Sequence, residues 1–444
     1  MIIRRITAEK VLGAFDYDIS FSSDDEIGAR LAVVYAENGY GKTNLLKAVK
    51  ALLTLNPDSL ENLRKIPIEN LSIEFKYDNF DSLYKNVIGE GCNIIGTIAL
   101  HRKRFDDDEF SIELETGRNA FKTSVSGRDL DVDFLRILRD KDTDLYMLIN
   151  IMRVLNEKGS TLYIGDNRLS LRNDETDRVP RRIDSSKSRD EDVAGPMRNL
   201  LSRVERALNQ ASLASYSRDS KESNVYARVA ESVMKGSEET KNAGQAGSEL
   251  RSELRDLIQA AEPMEKYDLI STSQLKAISI IINNARSNDK HFTSLLPVLQ
   301  PYFESMKKQI ASLNSAQRLI DTYIETVNSF LNRKTMRYSS RSGIMMFDHQ
   351  DSEINPDFLS SGEKHLLYLL SHALLAGSVG GILLIDEPEI SLGISWQRKL
   401  LRALLECSGT ESNSVQFVVA SHSLQVLSSE ETVTIVTPEE VDHV

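Results

Sequence analysis

Cysteine is almost absent: Cys92 and Cys407 are the two in 444 residues. They lie far apart and in no CxxC spacing, so neither a disulfide framework nor a zinc site is indicated, and a reducing, cytoplasmic setting fits. No apolar run approaches the roughly 18 residues of a membrane span. The N-terminal MIIRRITAEKVLGAF lacks the apolar core of a signal peptide, so the chain reads as soluble with no membrane partner. A positive balance is missing too. The formal net charge of −12 argues against a surface that binds nucleic acid everywhere, while leaving a local basic groove open. No glutamine occurs before Gln210. What is plentiful is hydrophobic residue, 41% of the chain, enough for packed cores in two or three domains.

Short apolar runs separated by turns predict strands over 16–21, 31–35, 71–77, 93–101 and 109–115, a sheet-rich first lobe covering 1–120. Residues 169–192 (LSLRNDETDRVPRRIDSSKSRDED) carry many charges of both signs and few large apolar residues, which predicts a mobile loop. It lies within a second, helical segment over 121–340. There Met306, Ile310, Leu313, Ile320, Ile324, Val327 and Leu331 recur at steps of three and four, the packed face of a bundle or a short coiled-coil contact. Strand and helix alternate again over 341–444, with last strands at 416–420 and 432–436. The sheet is thus expected to be assembled from both ends of the chain.

Two phosphate-handling patterns stand at those ends. Leu31 to Tyr35 reads as a strand buried on both faces, and Lys42 to Leu53 as a helix. Between them AENGYGKT matches GxxxxGK[ST], except that Ala36 replaces the first glycine. Gly39 and Gly41 let backbone N–H groups, those of Asn38 and Asn44 among their neighbours, turn toward phosphate oxygens at a helix N-terminus. Lys42 is placed to reach the β- and γ-phosphates, and Thr43 to put its hydroxyl on Mg²⁺. At the far end, ILLIDEPEISL sets Asp386 and Glu387 at the C-terminal end of a second buried strand, where open α/β sheets collect ligands. A carboxylate pair there divides into a holder of Mg²⁺, Asp386, and a group that orients or deprotonates water, Glu387. His422, in ASHS after the run 415–420, is a candidate sensor of the γ-phosphate. LSSGEK at 359–364 opens a helix: Ser360 and Glu363 have capping-box spacing, and Ser361 and Gly362 expose donors suited to an anion.

Taken together, AENGYGKT, LSSGEK, ILLIDEP, the ISL stretch at 390–392 and ASHS resemble the ABC-type ATPase family, in the branch shared with SMC-like and OLD proteins. The resemblance covers about 1–120 and 340–438. It implies an α/β fold, an ABC-type P-loop ATPase head with a mixed sheet and a helical insertion domain. It also implies ATP and Mg²⁺ as cofactors and a homodimer or higher oligomer, in which Lys42 and Thr43 of one protomer hold ATP while Ser360, Ser361, Gly362 and Glu363 of another approach its γ-phosphate. Ser391 and Leu392 would lie at that interface, with Glu387 as base and His422 as switch. Departures are Ser361 and Glu363 where glycine and glutamine are common, Gly393 where histidine is common, and the missing first-lobe glutamine. Asn167, in YIGDNRL, is the candidate replacement for that glutamine.

The span between Thr43 and Leu359 is too short for long coiled-coil arms and holds no zinc-hook CxxC. The stretch after His422 leaves no room for a Toprim nuclease domain, so any nuclease is expected to act in trans. The compact head resembles the stand-alone ATPase subunits of anti-phage systems, the AriA type of PARIS or the PtuA type of Septu and retron systems, with FDYDI at 15–19 and YIGDNRL in support. This implies a sensor that holds a separate effector, a nuclease, until a phage product triggers it. A DNA-repair ATPase that clamps DNA is the alternative, with Arg102, Lys103 and Arg104, or the arginines between Arg168 and Arg189, lining a groove. A third is a nucleotide-gated scaffold with little turnover.

Overall fold

The computed structural model of the chain describes residues 1–21, 27–77, 94–116, 120–125, 143–157, 160–165, 195–219, 243–284, 290–409, 415–428 and 433–441. The chain forms two compact units. One takes Met1–Ser188 with Leu359–Val444; the other is Arg189–Phe358. Residues 121–188 thus fall in the first unit and residues 341–358 in the second. The loop expected over 169–192 lies outside the described residues.

The first unit begins with β1 (Ile2–Val11), β2 (Phe15–Ser20) and β3 (Leu31–Tyr35). Next come α1 (Lys42–Thr54) and α2 (Pro57–Lys65). Strands β4 (Asn70–Tyr77), β5 (Ile94–Arg102), β6 (Phe110–Thr116) and β7 (Ala120–Val125) follow, then α3 (Thr143–Glu157) and β8 (Ser160–Ile164). In β4 buried and half-buried residues alternate, the period-two signature of a sheet with one face in the core. β1 shows no such period in sequence. Its pairing shifts register between Ile3 and Arg5 against β4 and between Ala8 and Val11 against β2, and each irregularity breaks the alternation.

The second unit holds α4 (Pro196–Asp219), α5 (Ala243–Glu265), α6 (Ser273–Asn284) and the 41-residue α7 (Lys290–Phe330). It closes with a small sheet of β9 (Lys334–Ser339), β10 (Gly343–Asp348) and β11 (Glu353–Ile354), in the order β11-β10-β9. Helix α7 packs on α4 and α5. Met306, Ile310, Leu313, Ile320, Ile324 and Val327 of its stripe are buried, so the stripe is the inner face of a bundle, and Leu331 falls just past the helix end.

The chain then returns to the first unit with α8 (Ser361–Val379), β12 (Gly381–Asp386), α9 (Ile394–Cys407), β13 (Val415–Ser421), the single turn α10 (Leu424–Leu427), β14 (Thr434–Val436) and β15 (Glu439–Glu440). Two sheets result. The antiparallel sheet runs β15-β2-β1-β4-β5-β6-β7 and the parallel sheet β14-β3-β13-β12-β8, so both draw strands from the two ends of the sequence. Helix α1 contacts strands of both, with Leu45, Leu46, Val49, Leu52 and Leu53 buried. Each such side chain contributes about 1.5–3 kcal/mol when fully withdrawn from water.

A buried amide clips the sheets together. Gln416 Oε1 accepts from Ile3 N–H at 2.6 Å, and its Nε2 donates to Ile3 O at 2.7 Å and Ala29 O at 3.2 Å. The side chain thereby pairs both backbone groups of a strand residue that is 2% exposed, groups that would otherwise be buried without partners.

Arg102 has a comparable structural task. It is 5% exposed, and its guanidinium donates to Leu63 O and Ile66 O at 2.8 Å each and to Phe105 O at 3.0 Å. It thus closes the C-terminal end of α2. The basic groove expected from Arg102, Lys103 and Arg104 therefore loses its first member: Arg102 is spent on carbonyls inside the fold. The arginines between Arg168 and Arg189 lie outside the described residues.

Candidate functional site

Strand register builds the site. Asp386 of β12 lies opposite Ala420 of β13, and Ser421 of β13 lies opposite Tyr35 of β3. The segments that leave these strands, 36–41, 387–393 and 422–423, therefore emerge side by side at one edge of the parallel sheet. Two backbone bonds continue the ladder past the strands, Glu387 N–H to Ala420 O at 2.8 Å and Ala36 N–H to Ser421 O at 3.4 Å. β8 also ends there, Ile164 opposite Ile385; Asn167, three residues on, lies outside the described residues.

The P-loop turns on two glycines. Gly39 (φ 96°) and Gly41 (φ 80°) both take left-handed backbone, and a Cβ on Gly41 would meet Val11 Cγ1 at 2.7 Å. Ala36 has no positive φ, so the first glycine of the pattern is not required by this backbone. Asn38 is exposed, and Thr43 and Asn44 occupy the first turn of α1 at half-buried positions. Lys42 is 5% exposed and folded back on its own loop, donating to Ala36 O at 2.6 Å and Glu37 O at 2.9 Å. FDYDI supports this loop: the Tyr17 hydroxyl donates to Tyr40 O at 2.5 Å, and the Phe15 and Tyr40 rings lie 4.7 Å apart.

Lys42 Nζ lies 3.5 Å from Glu387 Oε1, and Glu387 Oε2 is in hydrogen-bond contact with His422 Nδ1. Burial, together with the neighbouring Glu389 carboxylate, pushes Glu387 above the ordinary glutamate pKa, against the pull of His422 and Lys42. Asp386, 1% exposed, accepts from the Tyr163 hydroxyl at 3.2 Å. Thr43 and Asp386 supply a hydroxyl and a carboxylate, hard oxygen donors of the kind Mg²⁺ takes, so the residues fit that ion. One ligand atom each from Glu387, Glu389 and His422 also falls within 4.8 Å. There the imidazole nitrogen already touches both carboxylates and an ammonium stands close by, an arrangement suited to a shared proton.

Segment 387–392 is strained and tethered. Glu387 (φ 52°) and Ser391 (φ 66°) are non-glycine residues in left-handed backbone, each costing about 1–3 kcal/mol. Three side chains hold the segment. His365 Nε2 lies 3.1 Å from Pro388 O; Gln397 donates to Leu392 O at 2.9 Å and accepts from Ser423 Oγ at 2.8 Å; Glu389 binds the 421–423 segment. Ser391 is exposed and Leu392 buried.

Helix α8 meets this segment end-on. Ser360 caps the helix in a complete capping box with Glu363, whose carboxylate accepts from Ser360 N–H at 2.8 Å. Ser361 is exposed, and a Cβ on Gly362 would lie 2.7 Å from Ser391 O. The glycine of LSSGEK is thus needed for close approach to the strained loop. The structure gathers Lys42, Glu387 and His422 in one cluster and sets Gly362 against Ser391.

Glu389, Gln397, His365 and Tyr163 were not singled out by sequence. Only Glu389 left a signal: a third acid in DEPE, three residues after Asp386.

The family model described as "AAA domain, putative AbiEii toxin, Type IV TA system" matches residues 31–428. No curated protein matches the chain. Among solved structures, similarity extends to the SMC head in a crystal structure of that head bound to the C-terminal winged-helix domain of ScpA: 11% identity over 99% of this chain and 98% of that one, TM-score 0.38. It extends also to the SMC head domain from Thermotoga maritima, with 12% identity over 100% of both chains and a TM-score of 0.37.

Proposed function

We propose that this chain, which belongs to that AAA-domain family and has the α/β fold of an ABC-type P-loop ATPase head with a helical insertion, hydrolyses ATP between copies of itself. The observation that carries the reading is the 3.5 Å approach of Lys42 to Glu387 across two separate strand ends. Lys42 leaves the carbonyls of Ala36 and Glu37 for the β- and γ-phosphates, whose oxygens the backbone N–H groups around Gly39 and Gly41 receive. Glu387 then takes a proton from water; the water oxygen bonds to the γ-phosphorus as the bond to the bridging β–γ oxygen breaks, leaving ADP and phosphate. Thr43 and Asp386 would hold Mg²⁺, which would supply positive charge against the phosphate oxygens. His422 partners Glu387, and Asn167 is the proposed stand-in for the first-lobe glutamine.

Ser360, Ser361, Gly362 and Glu363 of a second copy complete the site, with Ser391 and Leu392 at the joint. Exposed apolar residues support self-association: Ile390, Ile394 and Leu424 are 44%, 60% and 62% exposed, on segments that Gln397 ties together. The ATPase is proposed to be the sensor of an anti-phage complex, of the AriA or PtuA type, that restrains a separate nuclease. FDYDI, YIGDNRL and the family description, which refers to a "putative AbiEii toxin, Type IV TA system", support that setting.

Glu387→Gln is expected to keep ATP binding, lower turnover at least 100-fold and accumulate an ATP-bound oligomer by size-exclusion chromatography. Lys42→Ala is expected to lose binding. Equal turnover in wild type and Glu387→Gln would refute the assignment. Expressed with its neighbouring genes, the trapped variant is expected to co-purify a nuclease, and its isolation alone counts against the defence reading.

A further inference from the structure

Glu389 is 5% exposed, and one of its oxygens is crowded while the other is not. Oε1 accepts from Ser421 Oγ at 2.6 Å, from His422 N–H at 2.9 Å and from Ser423 N–H at 3.2 Å, and lies 3.2 Å from His422 Nδ1. Oε2 is buried with no hydrogen-bond partner among the described residues. A carboxylate kept for the fold alone has both oxygens paired, because a buried unpaired one costs about 1–3 kcal/mol. Here a single oxygen gathers the end of β13 around the imidazole, and the other is left buried and unpaired at a cost to stability.

That oxygen gives His422 a second acceptor. Glu387, the first, is also held by Lys42, and a water-activating carboxylate must turn from both partners toward its water. An imidazole with no other acceptor would follow Glu387 or swing into solvent, since His422 is 44% exposed. Glu389 is fixed against such motion: Pro388 O is tethered by His365, and the segment from Glu389 to Leu392 by Gln397.

We infer that Glu389 is a positioning residue of the ATPase site, which retains His422 through its Oε1 while Glu387 is released to activate water. This rests on the hydrolytic reading above and adds a component to it. Glu389 acts through His422.

The test uses the full chain. Glu389→Gln is expected to lower kcat about 10- to 100-fold, the usual range for groups that orient a functional partner, with KM for ATP changed less than about twofold. His422→Asn is expected to show a similar loss, and Glu389→Gln/His422→Asn no more than the larger single loss. In imidazole-¹⁵N-labelled protein, the His422 resonance, assigned with His422→Asn, is expected to shift in Glu389→Gln. An unchanged kcat in folded Glu389→Gln, or multiplicative losses in the double variant, would overturn the inference. If Glu389→Gln does not fold, Ser421→Ala loosens the same oxygen, and an unaltered kcat there overturns it equally. Loss of turnover in Glu387→Gln but not in Glu389→Gln sinks this inference alone; no loss in Glu387→Gln sinks the hydrolytic reading itself.

Discussion

Glu387 stands between an ammonium, an imidazole and a second carboxylate, and the balance among them has a measurable sign. Burial and Glu389 raise its pKa above the ordinary 4.5 despite His422 and Lys42, so the folded state prefers it protonated. Its stabilising contribution is fully present below the ordinary glutamate pKa and is lost as pH rises through the raised value. At pH 7 the ionised side chain therefore works against the fold. Glu387→Gln is expected to melt higher than wild type at pH 7, with the gap closing toward pH 4, in parallel scanning-calorimetry series; a lower melting temperature at pH 7 would reverse the sign. The same residue shows what was readable beforehand. An acid after a buried strand is visible as letters, and so are Lys42 and His422. The left-handed backbone at Glu387 and the pairing with Lys42 arise from tertiary register and leave no trace in the local pattern. Ala36 makes the converse point: a departure from a motif glycine has no backbone consequence where φ is not positive.

Among the elements, β3, α1, β12 and β13 were legible because each is apolar on the faces that another layer covers. The stripe on α7 was legible for the same reason, its period matching the helix. β1 was not, since its bulges scramble the alternation on which strand recognition depends. Arg102 was misread as surface charge because burial of a guanidinium is decided by where α2 ends, which the tripeptide Arg102, Lys103, Arg104 does not encode. Arg102→Ala is expected to cost about 2–4 kcal/mol, by removing the guanidinium donor from the carbonyls of Leu63, Ile66 and Phe105. Lys103→Ala is expected to stay within about 0.5 kcal/mol of wild type. Equilibrium urea denaturation distinguishes the two, and equal midpoints would return Arg102 to the surface.

For the whole molecule, the decisive property is that β3 has neighbours from the far end of the sequence on both sides, β13 and β14. A fragment of residues 1–410 contains all of AENGYGKT yet lacks both partners. It is expected to show no ATP binding by isothermal titration calorimetry where the full chain binds, and retained affinity would mean that β3 and α1 suffice. The same topology acts as a clock. At about 5–20 residues per second, the ribosome adds the missing strands roughly 20–80 s after Lys42 is made. For that interval the motif exists as covalent sequence without a sheet to hold it. A nascent chain can thus close the sheet around AENGYGKT only after the strands at 415–421 and 434–436 have been made.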